Sequence, residues 1–486
     1  MKTSLASILL LAVQMAWATR ILTPDAIEAD IQERELQNVI WHLNHIAEKN
    51  GGNRAFGEPG YAASMDFILE RARIRFADKF DTFVQPFNHT YDKTNAIKVT
   101  GPDGEDVYVV SPQYNPATPL PGGITAGLVD TPVDDARGSM CLEDHWAGVE
   151  VKGKLALVKR GVCAVADKLR WAKKKGALGV ILYNQDPGTG YSVPTLSADS
   201  IGETVPVGII PLDVAQSWQA RLAAGEEVVV NLLVDSIIEE RESWNIIVET
   251  KKGDPNKVVM LGAHLDGVQA GPGINDNGSG SAGLLEILTA VAHYDVFKHK
   301  IRFAWWGAEE NGLVGSLYYT SKLSEEEVNR IKYYFNYDMI GSPDPVYGIG
   351  VDENSGIGGD LLVDYLVSKG KSAYKGGMGG GSDHVGFVNL GIPTIFGHTG
   401  LDTCYHQHCD NINNIDFEAL TLMTKAAARA MAQFANSLEG VPERKLFTRN
   451  PNSRSQIVKN FRRWADVEKE VSKEKLCGHT HEKITV

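Results

Sequence analysis

Hydrophobic and polar positions give the chain three textures. Near the start, Leu36, Ile40, Leu43 and Ile46 recur at helical spacing, and Gly51-Gly52-Asn53 stops that helix. A second helix is predicted after Gly60, carrying Met65, Ile68 and Leu69. Between residues 96 and 235 short β-rich runs replace helical periodicity: Val107 to Val110, Leu155 to Val158, Gly179 to Tyr183 and Val228 to Val234. Pro112, Pro116, Pro119, Pro121-Gly122-Gly123 and Pro187 punctuate them, and one helix, Ala164 to Lys175, ends at Gly176. That texture predicts a small β-rich unit inserted into the chain. From residue 244 strands alternate with helices. Val258 to Leu261, Ile301 to Trp305, Tyr333 to Tyr337 and Thr394 to Phe396 read as strands. Ser279 to Ala292 and Phe417 to Phe434 read as helices, the second with Phe417, Leu420, Ala427, Met431 and Phe434 on one side. Such alternation predicts an α/β fold, a mostly parallel central sheet with helices on both faces. Ligands in such folds bind beyond the carboxyl ends of the strands.

Composition adjusts this picture in three places. The formal net charge of -13 argues against nucleic acid as a partner. At the N-terminus Lys2 precedes an apolar run from Leu5 to Ala16, and Ala16-Trp17-Ala18 fits a small-x-small cleavage site, so residues 1–18 are expected to be a signal peptide and the protein to be secreted. That run is too short to span a bilayer, and no membrane segment is expected elsewhere. Of the 5 cysteines, Cys141 and Cys163 are near neighbours, as are Cys404 and Cys409. Two local bridges and a leftover Cys477 are the simplest arithmetic, with the connectivity left open. Asn88-His89-Thr90 is a glycosylation acceptor in a polar stretch, and Asn277-Gly278-Ser279 fits the same pattern.

The chemistry lies just after the strands. His264 and Asp266 follow the first; Asn275-Asp276-Asn277 follow a glycine-rich loop; Glu309-Glu310 follow Trp306; Asp338 follows Tyr337; and Tyr405-His406 lie on the loop after Phe396. His264, Asp276, Glu310, Asp338 and His406 together offer two imidazoles and three carboxylates, besides Asp266 and Glu309. Imidazole suits zinc, and carboxylate can bridge two ions. So many carboxylates with a second histidine point to a pair of ions, about 3.5–4 Å apart in such centres. Singly, each residue has a plainer explanation as a turn former, a helix cap or a satisfied polar group.

The order of these blocks resembles the secreted di-zinc aminopeptidases of metallopeptidase family 28, the leucine-aminopeptidase-like, zinc-exopeptidase fold. The matching text is Ala263-His264-Leu265-Asp266, Gly271 to Gly280, Ala304 to Glu310, Asn336 to Ser342, Ser382-Asp383-His384 and Cys404 to Asp410, with Gly51-Gly52-Asn53-Arg54 matching the opening helices. By that resemblance His264 and Asp338 would hold one zinc, Glu310 and His406 a second, and Asp276 would bridge them. Glu309 would be the general base, Asp266 would orient His264 through its other ring nitrogen, and Tyr405 would donate to the oxyanion. Glu309 and Glu310 would point different ways off their loop. The resemblance also implies a Cys404–Cys409 bridge and a tightly packed, unglycosylated Asn277. Asp383 and His384 read as structural residues or supports behind the ligands, and His398 and His408 as bystanders. One departure stands out: where bacterial members often carry Arg before Ser-Asp-His, this chain has Gly381.

Residues 152–163, Lys168, Ala172 and 176–180 resemble a protease-associated domain, which implies a Cys141–Cys163 bridge and a noncatalytic role in substrate access. The organisation expected is then a signal peptide at 1–18, the N-terminal part of the peptidase domain at 19–95, the protease-associated domain at 96–235, the di-zinc peptidase domain at 236–440 and a charged tail at 441–486. The expected function is a secreted, monomeric, Asn88-glycosylated zinc metallopeptidase with two Zn2+ per chain, taking peptides with a free N-terminus. A carboxypeptidase or dipeptidase on the same scaffold would need cationic residues for a substrate carboxylate, and the site loops lack an Arg cluster. A noncatalytic receptor is disfavoured by the intact ligand set.

Overall fold

A computed structural model describes residues 19–188, 194–352 and 355–444. The expected signal peptide, Cys477 and nearly all of the charged tail lie outside them. The chain forms two compact units, one from residues up to Phe87 together with those from Ser243, the other from Asn88 to Glu242.

In the first unit the sheet order is Ala373–Gly377, Tyr347–Val351, Thr394–His398, Ile331–Tyr337, Asp254–His264, His299–Trp306 and the end of Val229–Thr250. The four strands from Thr394–His398 to His299–Trp306 run parallel. Tyr347–Val351 is antiparallel to Thr394–His398, and Val229–Thr250 to His299–Trp306. Alternate residues of the central strand enter different cores. Val259, Leu261 and Ala263 pack with Leu284, Leu285, Leu288 and Met431; Val258 and Met260 pack with Tyr319, Val328 and Phe387. A strand buried on both faces must be apolar at every position, which is why it reads as an unbroken hydrophobic run.

This topology creates a site. After Asp254–His264 the chain crosses by helix Gly280–Val291 to its neighbour His299–Trp306. The next connection, through helices Val314–Lys322 and Glu325–Arg330, returns on the opposite face to Ile331–Tyr337, which lies on the other side of Asp254–His264. Strand order therefore reverses between Asp254–His264 and Ile331–Tyr337, and a crevice opens at their carboxyl ends. Helix Glu33–Lys49 buries Leu36, Val39, Ile40 and Leu43 in the same core as Gly280–Val291. Gly51 and Gly52, both at φ 87°, end it with a conformation other residues resist. Helices Pro59–Leu69 and Phe417–Asn436 complete that face.

The second unit is less purely β than its sequence texture predicts. Ile124–Asp130, Leu155–Lys159, Gly179–Tyr183 and Val207–Ile210 run parallel, with the start of Val229–Thr250 antiparallel beside Ile124–Asp130. Two helices cover the sheet: Val165–Lys174 packs in one core and Leu212–Ala223, which the pattern did not reveal, in the other. The run from Val107 to Val110 contributes only strand Asp106–Val107 and an isolated bridge from Val110 to Ile209. Cys141 and Cys163 form a disulfide, with Cα atoms 5.9 Å apart. Among the described residues no helix is long and apolar enough to cross a membrane.

Candidate metal centre

The crevice at the strand ends gathers the polar residues singled out above. His264 ends its strand with its side chain almost fully buried. Its Nε2 lies 3.3 Å from Asp338 Oδ1, 3.4 Å from Asp276 Oδ1 and 3.8 Å from Glu309 Oε2. His406 arrives from a loop, and its Nε2 lies 3.2 Å from Asp276 Oδ2 and 3.0 Å from Glu310 Oε2. The two oxygens of Asp276 thus face different imidazoles. Glu309 and Glu310 do diverge, one toward His264 and the other toward His406. His264, Asp276 and Glu310 place donor atoms within 4.8 Å of one another, as do His264, Glu309 and Asp338.

The backbone that presents these groups is unusual at each loop. Ala308, just before Glu309, Met339, just after Asp338, and His406 itself all have positive φ, at 55°, 53° and 57°. Non-glycine residues hold that region only where the surroundings impose it. The peptide between Asp276 and Asn277 is cis. Asn277 is fully buried, donating to Tyr337 O at 2.9 Å and accepting from Gly280 N at 2.9 Å. Its amide nitrogen has no room for a glycan, whereas Asn88 is exposed.

Charged side chains brace those backbones. Asp266 is buried, and its carboxylate accepts from Glu309 N at 3.1 Å and Glu310 N at 3.3 Å. The group nearest His264 Nδ1 is the Asp266 carbonyl at 3.1 Å, with the carboxylate at 3.8 Å. The resemblance implied that Asp266 orients His264; here its main chain stands at that ring nitrogen while its side chain fixes the Glu309-Glu310 turn. Ser382 donates to Asp338 Oδ2 at 2.7 Å and so leaves Oδ1 for His264. Two further residues lie in the family-like text without a role assigned to either. Asp410 accepts from Asn275 N at 2.8 Å and Asp276 N at 3.0 Å. Arg54, wholly buried, donates to the carbonyls of Leu265, Pro272 and Gly273.

Tyr405 stacks on His406, ring centroids 3.8 Å apart, and Cys404–Cys409 brackets both residues. Asp383 and His384 are buried; His384 Nε2 lies 3.3 Å from Gly379 O and its ring stacks on Phe396. His398 Nδ1 accepts from Gly400 N, while Gly381 and His408 are exposed.

Electrostatically the centre is overloaded with acid. Burial opposes the imidazolium of His264, but Glu309, Asp338 and Asp276 outweigh it and hold the pKa well above its ordinary value. The same balance, with Glu310 and Asp276, raises His406. Burial, joined by the charges of Asp383, Glu310 and Asp338, pushes Glu309 well above the carboxylate range. Burial and the charge of Asp276 bring Glu310 to about 7. For Asp276 burial is overcome by hydrogen bonds from both histidines, and its pKa falls below the usual range. Glu310 Oε1 is buried without a hydrogen-bond partner. Buried carboxylates crowded together and left partly unpaired need a cation. Imidazole and carboxylate donors in this number fit divalent zinc.

Fold and site together define a metallohydrolase centre at the switch point of a parallel sheet. Comparison with known proteins makes the class specific. The profile of Peptidase family M28 matches residues 245–431, and that of the PA domain residues 124–218. Aminopeptidase Y of Saccharomyces cerevisiae is 31% identical over 450 residues, covering 86% of this chain and 82% of the yeast protein. Leucine aminopeptidase 2 of Arthroderma otae is 33% identical, covering 87% of this chain and 88% of its own. Among solved structures, the aminopeptidase from Aneurinibacillus sp. strain AM-1 superposes with TM-score 0.69 at 27% identity, covering 88% of this chain and 99% of that one. The chain belongs to peptidase family M28 and carries a PA domain.

Proposed function

We propose that this peptidase is a secreted aminopeptidase that works with two zinc ions. One observation carries the two-ion reading: Asp276 turns one oxygen to His264 and the other to His406. His264 and Asp338 would hold one ion, Glu310 and His406 the other, and Asp276 would bridge. When bound, the ions lower the pKa of a water and polarise the scissile carbonyl.

The chain's own residues do the rest. Glu309 stands 3.8 Å from His264 Nε2. It takes a proton from the attacking water and returns it to the departing amine. Tyr405, stacked beside His406, donates to the oxyanion. The site loops 264–280, 306–313, 337–342, 378–384 and 402–410 contain no Arg or Lys. They can attract a substrate ammonium and offer nothing to a substrate carboxylate, which favours the amino end. The names of the relatives agree with this direction. Two disulfides among the described residues and the N-terminal pattern support secretion, and the exposed Asn88 is the proposed glycan site.

The test is a metal count on purified protein with a paired assay. Amino-acid anilides and peptides with free amines should be cleaved whether or not their carboxyl end is blocked. Amino-acetylated peptides should not be. Cleavage of amino-blocked substrates would overturn the aminopeptidase reading.

A further inference from the structure

Arg54 is far from the ligands in sequence, fully buried, and makes no hydrogen bond to a carboxylate among the described residues. Its guanidinium instead donates Nε to Pro272 O at 2.9 Å, Nη1 to Leu265 O and Nη2 to Gly273 O. The contact is reciprocal, because Gly267 N donates to the Arg54 carbonyl. Burying a cation is costly unless every donor is satisfied and charge lies nearby. Here each of the three nitrogens donates to main chain, and Asp266, Asp410, Asp276 and Glu310 supply the surrounding negative field.

The carbonyls chosen are telling. Leu265 directly follows the ligand His264, and Pro272-Gly273 is separated from Asn275-Asp276 by the single residue Ile274. One planar fork therefore ties together the two ends of the loop that separates two ligands. Glycines line it: a Cβ at Gly273, Gly278 or Gly267 would meet Arg54 Nη2 at 3.4, 3.5 or 3.8 Å, ordinary contact, and the clash at Gly273 would be with Asp276 O at 2.6 Å. From the far side, Asp410 holds the Asn275 and Asp276 amides.

We infer that Arg54 is a positioning residue for the metal centre: its fork fixes loop 265–273 so that His264 and Asp276 face each other before any metal arrives. This rests on the zinc reading above. A site built in advance does not have to order its loop on binding, so more of the interaction appears as affinity. Lysine would keep the charge but lacks the rigid fork that reaches separated carbonyls.

Two measurements test it. In the first, hydrogen exchange is followed on the full-length wild-type protein, zinc-loaded and after chelation. Amides from 264 to 279 should stay protected in the metal-free protein. Loss of their protection on chelation, with the sheet still protected, overturns the inference, and this arm needs no variant to fold. In the second, Arg54→Lys and Arg54→Gln are titrated with zinc against a competing chelator, counting only protein with native circular dichroism. Both should bind zinc at least about tenfold more weakly than wild type, Lys giving no rescue. Wild-type zinc affinity in a variant that has merely lost thermal stability would reduce Arg54 to a packing residue. Restoration by Lys would assign the effect to charge and reject the fork. Wild-type protein that binds no zinc would instead defeat the functional proposal, and the untreated control shows this first.

Discussion

The two histidines of the centre are held in opposite ways. His264 ends a strand paired on both sides, its side chain 1% exposed. His406 sits on a loop, its side chain 35% exposed, in a left-handed conformation clasped by Cys404–Cys409 and backed by Tyr405. One seat is set by the sheet, which also sets the fold; the other is set by a short covalent clasp. On the proposed two-zinc reading Asp276 joins them, and the buried seat should be the tighter and the exposed seat the more exchangeable.

The largest effect should come from breaking the shared side. His264→Ala removes the group facing both Asp276 and Asp338. Both ions and all measurable turnover should be lost; retention of an ion at full affinity would show that the seats are independent. Next, Glu309→Gln should lower kcat by about 10²–10⁴-fold while metal content is unchanged. Loss of an ion would mean that Glu309 and Glu310 exchange roles. His406→Ala should release the exposed-seat ion alone, leaving one per chain by elemental analysis. Smaller still, on the proposed two-zinc reading, Cys404→Ser with Cys409→Ser should weaken that same ion about tenfold and leave the buried one alone, measured by chelator competition.

The smallest expected effect lies outside both seats. Burial raises the Glu286 carboxyl, on helix Gly280–Val291, to about 7. Its protonated form is the one the fold accepts, so this contribution is complete below pH 4.5 and lost as pH rises through about 7. Glu286→Gln should stabilise metal-free protein by about 2–3 kcal/mol at pH 8 relative to pH 5 and leave zinc affinity unchanged. A changed affinity would extend the centre to that helix.

The buried half of this comparison was the more legible in sequence. Strands apolar on both faces announce themselves as unbroken runs, and the candidate ligands at their carboxyl ends follow by position. Val259 to His264 and Tyr333 to Asp338 show it. Other elements gave weaker patterns. Strand Phe80–Thr100 is only partly buried and interrupted by Pro86, so it lacks clean alternation. Tyr347–Val351 and Ala373–Gly377 are glycine-rich and carry no strand-like alternation of apolar and polar residues. Helix Leu212–Ala223 has few buried anchors, Ala215 and Trp218. In the centre itself, Arg54 bonds to main-chain carbonyls, and Asp410 to main-chain amides and the Asn414 side chain. No residue pattern encodes a carbonyl, and only the folded loop shows what they hold. Tyr405 and the Cys404–Cys409 clasp became readable through family resemblance, because a short loop has no periodicity to read.

Unequal but bridged metal seats are the centre of the account, and stepwise zinc titration of the metal-free, full-length protein by calorimetry tests them most directly. Two resolved binding events per chain are expected, the weaker one absent in His406→Ala and turnover rising with the second ion. A single event at one ion per chain, accompanied by full turnover, would contradict it.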